Sequence, residues 1–459
     1  MFKKALFLFI ILLFTFGCGT KKELSDVKEK EKKYSIEENK QITFNYYNIG
    51  LRQFKSKQYQ KAILSFSEAL KYNKKHISSY YMRGLSAFYM NLPKVAIEDL
   101  SKTIKIKPNF MDAYHMRGVA YFFTKQYQKA ISDFSKVLSV GPNKYSFRFR
   151  GKSYVAIKNY NKAINDFSSF ILIDPGFAEI YYERGTLLMR LKKYNKSIVD
   201  FNKAISLNSK KYMYYAGRSN SYIAKKNYKK SITDISIAIS LEPDSYNLYK
   251  FRYDIYYDKL YDLKKALYDS NKMIELSKGI IGYSQRAKTY FSLGYFDKSI
   301  ADYSKLIKID KYFINYLTRG LIYKTKRDYK NAIKDVNHSI SLRPDFPYTK
   351  IIKYLINKQA GEKASLVLHK GNSDIIKWTN SIVKLYHGKI SPSDLIKRSS
   401  NRNKNIERNF ICEGYYYIAE YFKLKGDKNS AKKYYRKCIE TKSYDVVEYS
   451  AAIYELKRL

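Results

Sequence analysis

Arginine recurs at Arg83, Arg117, Arg150, Arg184, Arg218, Arg252, Arg286 and Arg319, every 33 or 34 residues. Aspartate follows each at a fixed remove: Asp99, Asp133, Asp166, Asp200, Asp234, Asp302 and Asp335. Asp269 joins the series once one extra residue in DKLYDLKKAL is counted. A guanidinium and a carboxylate at such spacing can do two things. They can neutralise each other in bidentate pairs, or the arginines can form a row that binds an anionic ligand. Other chemistry-bearing residues are scattered. His76, His115, His338, His369 and His387 show no ligand spacing, and Cys18, Cys412 and Cys438 form no CxxC. The sequence carries no P-loop, nucleophile elbow or HExxH. It reads as a non-enzyme that calls for no metal and no cofactor.

The elements that must position these pairs follow from the residues around them. A small residue succeeds most of the arginines: Gly84, Gly118, Gly151, Gly185, Ser219, Ala287 and Gly320. An aromatic comes next (Tyr127, Tyr160, Tyr194, Tyr228, Phe296, Tyr329), and three residues later Ala or Ser (Ala96, Ala130, Ala163, Ser197, Ser231, Ser299, Ala332). Pro108, Pro142, Pro175, Pro243 and Pro344 close several copies. With few glycines and prolines elsewhere, this is a helical pattern. Small residues let two antiparallel helices approach closely, and proline ends the second. No single helical pair buries its apolar face, so the units must stack. The seventh and twenty-third positions then lie level, which lets Arg and Asp meet within one repeat. An earlier copy has Gly50, Tyr59, Ala62, Phe66 and Ala69, with Ile49 and Ser65 where Arg and Asp would stand. Both partners are missing together, as a within-repeat pair predicts.

This pattern resembles the tetratricopeptide repeat. The resemblance implies an all-α fold: a right-handed solenoid of nine tandem repeats over 43–346, with a C-terminal helical capping region. It also implies that the first helices line a concave face that binds peptides. Its expected contacts are Phe44, Tyr47 and Leu51, then Tyr81 and Leu85, His115 and Val119, Arg148 and Lys152, and Tyr182. Such a groove suits partner segments with apolar and acidic residues. Phe54, Phe88 and Phe122, at the twelfth position, read either as groove residues or as packing between helices. Tyr253 replaces the small residue after Arg252, so a softer joint is expected near residues 250–275.

The formal net charge is +46. Lysines crowd the turns between paired helices (Lys125, Lys129, Lys158, Lys162, Lys192, Lys193, Lys196, Lys225, Lys226, Lys229, Lys230, Lys326, Arg327, Lys330). They predict a basic ridge that either lies on an anionic wall polymer or lipid surface or is simply solvated.

MFKKALFLFIILLFTFGCGT has a basic start and an apolar core too short to span a bilayer. The small residue before Cys18 resembles a bacterial lipobox, although Thr15 departs from it. That implies a signal peptide over 1–17, a lipidated Cys18, a flexible charged tether over 18–42 and a lipid-anchored place in the bacterial envelope. An exported chain meets no chromosome or tRNA, so envelope proteins are favoured over nucleic acid as partners. A divergent helical region is expected over 347–411 and a repeat-like unit with a capping helix over 412–459. There Ala419, Ala431, Tyr435 and Cys438 fall on repeat positions, with Ile418 and Tyr434 in place of Arg and Asp. This segment resembles the C-terminal part of bacterial tetratricopeptide lipoproteins, some of which tether envelope enzymes as adaptors. Cys412 and Cys438 end one helical pair. They are either two buried thiols or, in an exported chain, a disulfide.

Overall fold

The computed structural model describes residues 34–277, 280–400 and 403–459. Cys18 and the leader lie outside them. Two compact units divide the chain, Met1–Asp174 and Pro175–Leu459. All regular structure among the described residues is helical.

The first unit is four helical hairpins: α1 (Ile36–Lys55) with α2 (Tyr59–Tyr72), α3 (Ile77–Tyr89) with α4 (Pro93–Ile106), α5 (Met111–Phe123) with α6 (Tyr127–Leu138), and α7 (Lys144–Ala156) with α8 (Tyr160–Ile173). Helix α1 starts well before the expected Thr43. Ser35 accepts from the Glu38 amide while the Glu38 side chain accepts from the Ser35 amide. This capping box makes residues 36–42 helix rather than tether. Pro93 fits the first turn of α4, where no amide donor is needed.

Small residues sit where the hairpins close. Ala62, Ala96, Ala130 and Ala163 are fully buried. A methyl on Gly118 would stand 2.8 Å from the Phe134 ring, and one on Gly151 2.6 Å from Phe167. Either would displace a ring of the core. First helices approach one another from repeat to repeat (α1 to α3, α3 to α5, α5 to α7) more closely than second helices do. Their shared face is therefore the inner one.

The second unit continues the same plan. Its hairpins are α9 (Ala178–Arg190) with α10 (Tyr194–Leu207), α11 (Tyr212–Ala224) with α12 (Tyr228–Leu241), α13 (Tyr246–Ile255) with α14 (Leu263–Ser277), α15 (Ile280–Leu293) with α16 (Phe296–Ile309), and α17 (Phe313–Lys326) with α18 (Tyr329–Leu342). Tyr253 does not pry its hairpin open. Its ring is buried, its hydroxyl donates to the Gln285 carbonyl at 3.0 Å, and it stacks on Tyr257. The extra residue is absorbed by a π turn, Tyr256–Leu260, closed by Tyr261 in the left-handed region. The expected soft joint is thus a filled one.

After α19 (Pro347–Gln359) comes a stretch without helix, then α20 (Asp374–Tyr386) and the short α21 (Pro392–Lys397). A last hairpin, α22 (Lys404–Leu424) with α23 (Lys428–Glu440), leads to α24 (Val447–Lys457). Helix α24 turns back onto the first helices of the same unit. The Tyr454 hydroxyl donates to the Ser292 carbonyl at 2.9 Å, and the Ser450 and Ser292 hydroxyls meet at 2.8 Å. Tyr449, Ala451 and Ala452 join Ala287, Phe291 and Ile322 in one core.

A buried charge network locks this arrangement. Lys324, on α17, is 1% exposed and donates to Glu420 at 3.2 Å and to the Tyr416 hydroxyl at 3.1 Å. Tyr435 donates to Glu420 at 2.7 Å, and Lys423 to Glu455 at 2.6 Å. Burial alone would push Glu420 up. The charges of Lys324 and Lys423 with the Tyr435 hydrogen bond outweigh it and hold the carboxyl down at about 2.

Candidate functional site

Eight Arg–Asp pairs span the hairpins. Each arginine Nε donates to one carboxylate oxygen at 2.7–3.1 Å. Each Nη2 donates to the other at 2.6–2.8 Å. Arg83 with Asp99, Arg117 with Asp133 and Arg150 with Asp166 stand in the first unit. Arg184 with Asp200, Arg218 with Asp234, Arg252 with Asp269, Arg286 with Asp302 and Arg319 with Asp335 stand in the second. The carboxylates are buried.

Two further contacts were not read from the sequence. The remaining Nη1 reaches the preceding repeat: Arg83 donates to Ser67, Arg117 to Ser101, Arg150 to Ser135, Arg218 to Asn202 and Arg319 to Ser304, at 2.7–3.0 Å. Each guanidinium also lies 5.4–5.8 Å over an aromatic ring three residues earlier, such as Tyr80, Tyr114, Phe147 and Tyr316. The signal was legible, since an aromatic precedes every arginine of the series by three. So these arginines clasp their own hairpin and the one before it, which commits most of their donors to the fold. Burial pushes the Asp166 and Asp269 carboxyls up, against the pull of Arg150 and Arg252. In the first hairpin Ser65 instead donates to Gln53 at 2.7 Å.

The expected partner contacts divide sharply. Phe44 is 58% exposed on α1. Tyr47 is wedged against Phe66 and His76, with centroids 5.8 and 5.2 Å away. Tyr81 meets Phe110 at 4.9 Å, and burial raises its hydroxyl to about 12. His115 shares a 2.8 Å hydrogen bond with Ser146, and burial lowers its imidazole. Tyr182 packs on Tyr214 at 5.3 Å. Val119 is buried, while Leu51, Leu85, Arg148 and Lys152 are half-buried. The fifth position therefore joins one repeat to the next. As an open contact, Val119 is corrected to a packing residue, whereas Tyr47, Tyr81, His115 and Tyr182 pack between repeats and keep part of their surface accessible.

The accessible surface lies one residue further along each first helix than the twelfth position. Tyr89 is 56% and Phe123 60% exposed. They belong to a continuous row of rings in the first unit. Tyr59 stacks on Tyr89 at 5.1 Å, Phe54 meets both, Phe88 meets Phe123 at 5.8 Å, and Phe122 meets Phe149 at 5.5 Å. The twelfth-position rings Phe54, Phe88 and Phe122 are the half-buried base of this row. The paired aromatics Phe88-Tyr89 and Phe122-Phe123 are its sequence signature.

The turn lysines are exposed. Lys125, Lys158, Lys192, Lys226 and Arg327 have positive φ, from 60° to 67°. Part of the ridge is engaged locally: Lys129 lies over Tyr121, Lys162 over Tyr154 and Lys230 over Tyr222, and Lys326 pairs with Asp297. Among the described residues no helix is long and apolar enough to cross a membrane.

Family models of the tetratricopeptide repeat match residues 178–211 and residues 112–144, 282–313, 315–346 and 413–445. Three solved structures are similar. A tetratricopeptide repeat protein from Parabacteroides merdae is 21% identical, covers 51% of this chain and 93% of its own, and has a TM-score of 0.41. The C-terminal part of a repeat protein from Cytophaga hutchinsonii is 19% identical, covers 59% and 98%, and scores 0.43. YrrB, described as a repeat protein with an unusual peptide-binding site, is 19% identical, covers 41% and 97%, and scores 0.38.

Proposed function

From a chain built of tetratricopeptide repeats, we propose a non-enzymatic scaffold, lipid-anchored in a bacterial envelope, that binds peptide segments of envelope proteins on its first unit. The observation that carries the reading is the row of rings ending in exposed Tyr89 and Phe123. Contiguous exposed aromatics on the inner face of a helical array favour apolar side chains of a partner. The cations of the neighbouring turns, Lys57 and Lys125, favour acidic residues beside them. The leader ending at Cys18 supports export and acylation, and acyl chains there would hold the chain at a membrane.

The test sets peptide binding against surface binding. The full chain and a Tyr89→Ala/Phe123→Ala variant are titrated with peptides bearing aromatic, aliphatic and acidic residues, and with anionic phospholipid vesicles, over a range of salt. Peptide binding that falls about tenfold in the variant and only modestly with salt is expected. Binding to vesicles alone, unchanged in the variant and stripped by salt, would move the function to the lysine turns. Incorporation of labelled fatty acid into the wild type, lost in Cys18→Ser, checks the anchor.

A further inference from the structure

The last hairpin holds two cysteines face to face. Cys412 lies on α22 and Cys438 on α23, both fully buried, with their sulfurs 3.2 Å apart. Their other polar neighbours are backbone carbonyls: Cys412 Sγ lies 3.7 Å from the Cys438 oxygen and Cys438 Sγ 3.9 Å from the Glu448 oxygen. No group of metal-binding residues surrounds them among the described residues. Nothing here uses a thiol as nucleophile or ligand. Two sulfurs in van der Waals contact across two closely packed helices need only a small settling to reach bonding distance, about 2 Å. The third cysteine of the chain, Cys18, is the one assigned to acylation, which leaves these two to each other.

We propose that Cys412 and Cys438 are joined as a disulfide in the exported protein, a covalent clasp on the hairpin from which α24 folds back over the first helices. The proposal rests on the export reading above, because an oxidising compartment is needed for the bond to persist. The oxidant is a dithiol–disulfide oxidoreductase. One cysteine thiolate attacks its disulfide, forming a mixed disulfide and releasing one oxidoreductase thiolate. The second cysteine, as thiolate, then attacks the chain's own sulfur in that mixed disulfide and expels the other oxidoreductase thiolate. Two protons leave the chain, two electrons pass to the oxidoreductase, and one S–S bond forms. In the folded hairpin both sulfurs are closed to solvent, and burial raises the Cys438 thiol, so a folded reduced hairpin is a poor substrate. The bond therefore forms while the hairpin is still folding. It is a built-in staple and not a reversible sensor.

The full chain is isolated from the cells that make it under acid quench. Thiols are alkylated under denaturing conditions before and after reduction, and the peptides holding Cys412 and Cys438 are identified by mass. Protease access in spheroplasts reports location separately. In a parallel arm, purified reduced full chain is refolded with and without oxidised glutathione. The expected result is an exported chain whose two cysteines resist alkylation until reduced, in linked peptides lighter by two hydrogens. Cys412→Ser should leave Cys438 alkylated without reduction. Free thiols at both positions in a chain shown to be outside would overturn the clasp and leave export intact. If the chain is found inside, the export reading fails, and the glutathione arm decides the pair: linked peptides support it, and unlinked ones overturn it.

Discussion

The first helices of the two units use the same materials to opposite ends. In both units, arginine–aspartate pairs clasp most hairpins and aromatic rings crowd the inner helices. In the first unit the rings come to the surface at Tyr89 and Phe123. In the second, Tyr253 on α13, Tyr257 in the π turn that follows it and Phe291 on α15 are buried. The chain's own C-terminus closes part of this face: Tyr454 of α24 lies 6.2 Å from Phe291 and donates to the Ser292 carbonyl, where Ser450 also meets Ser292. An aromatic first-helix face of this protein thus accepts a helix bearing tyrosines and small residues. The second unit supplies that helix in cis, and the comparable face of the first unit has no such cover among the described residues. The partner-binding proposal for the first unit extends what the second unit does internally.

The largest effect should come from breaking the cover. Lys324→Met removes the cation that satisfies Glu420 at the base of α24 and strands buried carboxylates, a loss of about 3–5 kcal/mol. Amide hydrogen exchange should rise across residues 447–457 while α3 to α6 keep their protection. Equal loosening of both units would refute the idea that the cover is a local device. The next effect tests what the units share. Asp166→Ala leaves Arg150 half-buried without its carboxylate and should cost about 3 kcal/mol, whereas Arg150→Met with Asp166→Leu should cost less than the single change. Thermal unfolding decides it: a double variant less stable than Asp166→Ala would mean the pair stabilises by attraction rather than by mutual satisfaction.

Protons divide the units as well. Glu413 accepts from Tyr348 at 2.6 Å and from Trp378 at 2.9 Å, yet burial and the nearby Glu448 raise it from 4.5 to about 8. A raised carboxyl contributes stability that is full below its unfolded value of 4.5 and is lost as pH rises through about 8. Glu420, held at about 2, works the other way: its contribution is present above 4.5 and lost as pH falls toward about 2. The second unit should therefore lose stability between about pH 5 and about pH 9 relative to Glu413→Gln, which keeps an acceptor but has no proton to lose. Parallel curves for wild type and variant would place the proton elsewhere.

Much of this was legible because a repeat writes each contact many times. The Arg–Asp register followed from spacing alone, as did the close approach at Gly118 and Gly151. The reach of Nη1 to Ser67 or Ser101 was written there too and was passed over: Ser or Asn recurs at Ser67, Ser101, Ser135, Asn202, Ser236, Asn271 and Ser304, each 15 or 16 residues before its arginine, but a small polar residue on a helix is equally at home in water. How open each groove residue lies was illegible for a different reason. The face of a helix is readable from its period, but whether Tyr47 or Tyr89 reaches solvent depends on what the next repeat sets beside it. His76 and Phe66 cover part of Tyr47. The fold-back of α24 was beyond reach as well: Lys324 with Glu420, and Ser292 with Ser450, join residues far apart in the chain and outside any period.

The smallest predicted effect returns to the turns. The Lys125 amide donates to Phe122 at 3.0 Å and that of Gln126 to Tyr121 at 2.8 Å, which ends α5 with Lys125 in the left-handed region at φ 61°. Glycine favours this place, and the chain uses it at Gly294 and Gly426, with φ 82° and 81°. A side chain there costs about 1–2 kcal/mol. Part of that is offset by the greater freedom glycine brings to the unfolded chain, so Lys125→Gly should stabilise the first unit by about 0.5–1 kcal/mol. Lys125→Ala removes the same charge without relieving the backbone and should leave stability nearly unchanged. If alanine stabilised as much as glycine, repulsion among the crowded lysines would be the cause. The turns would then be strained by charge and not by conformation, and an anionic surface would relieve that strain on contact.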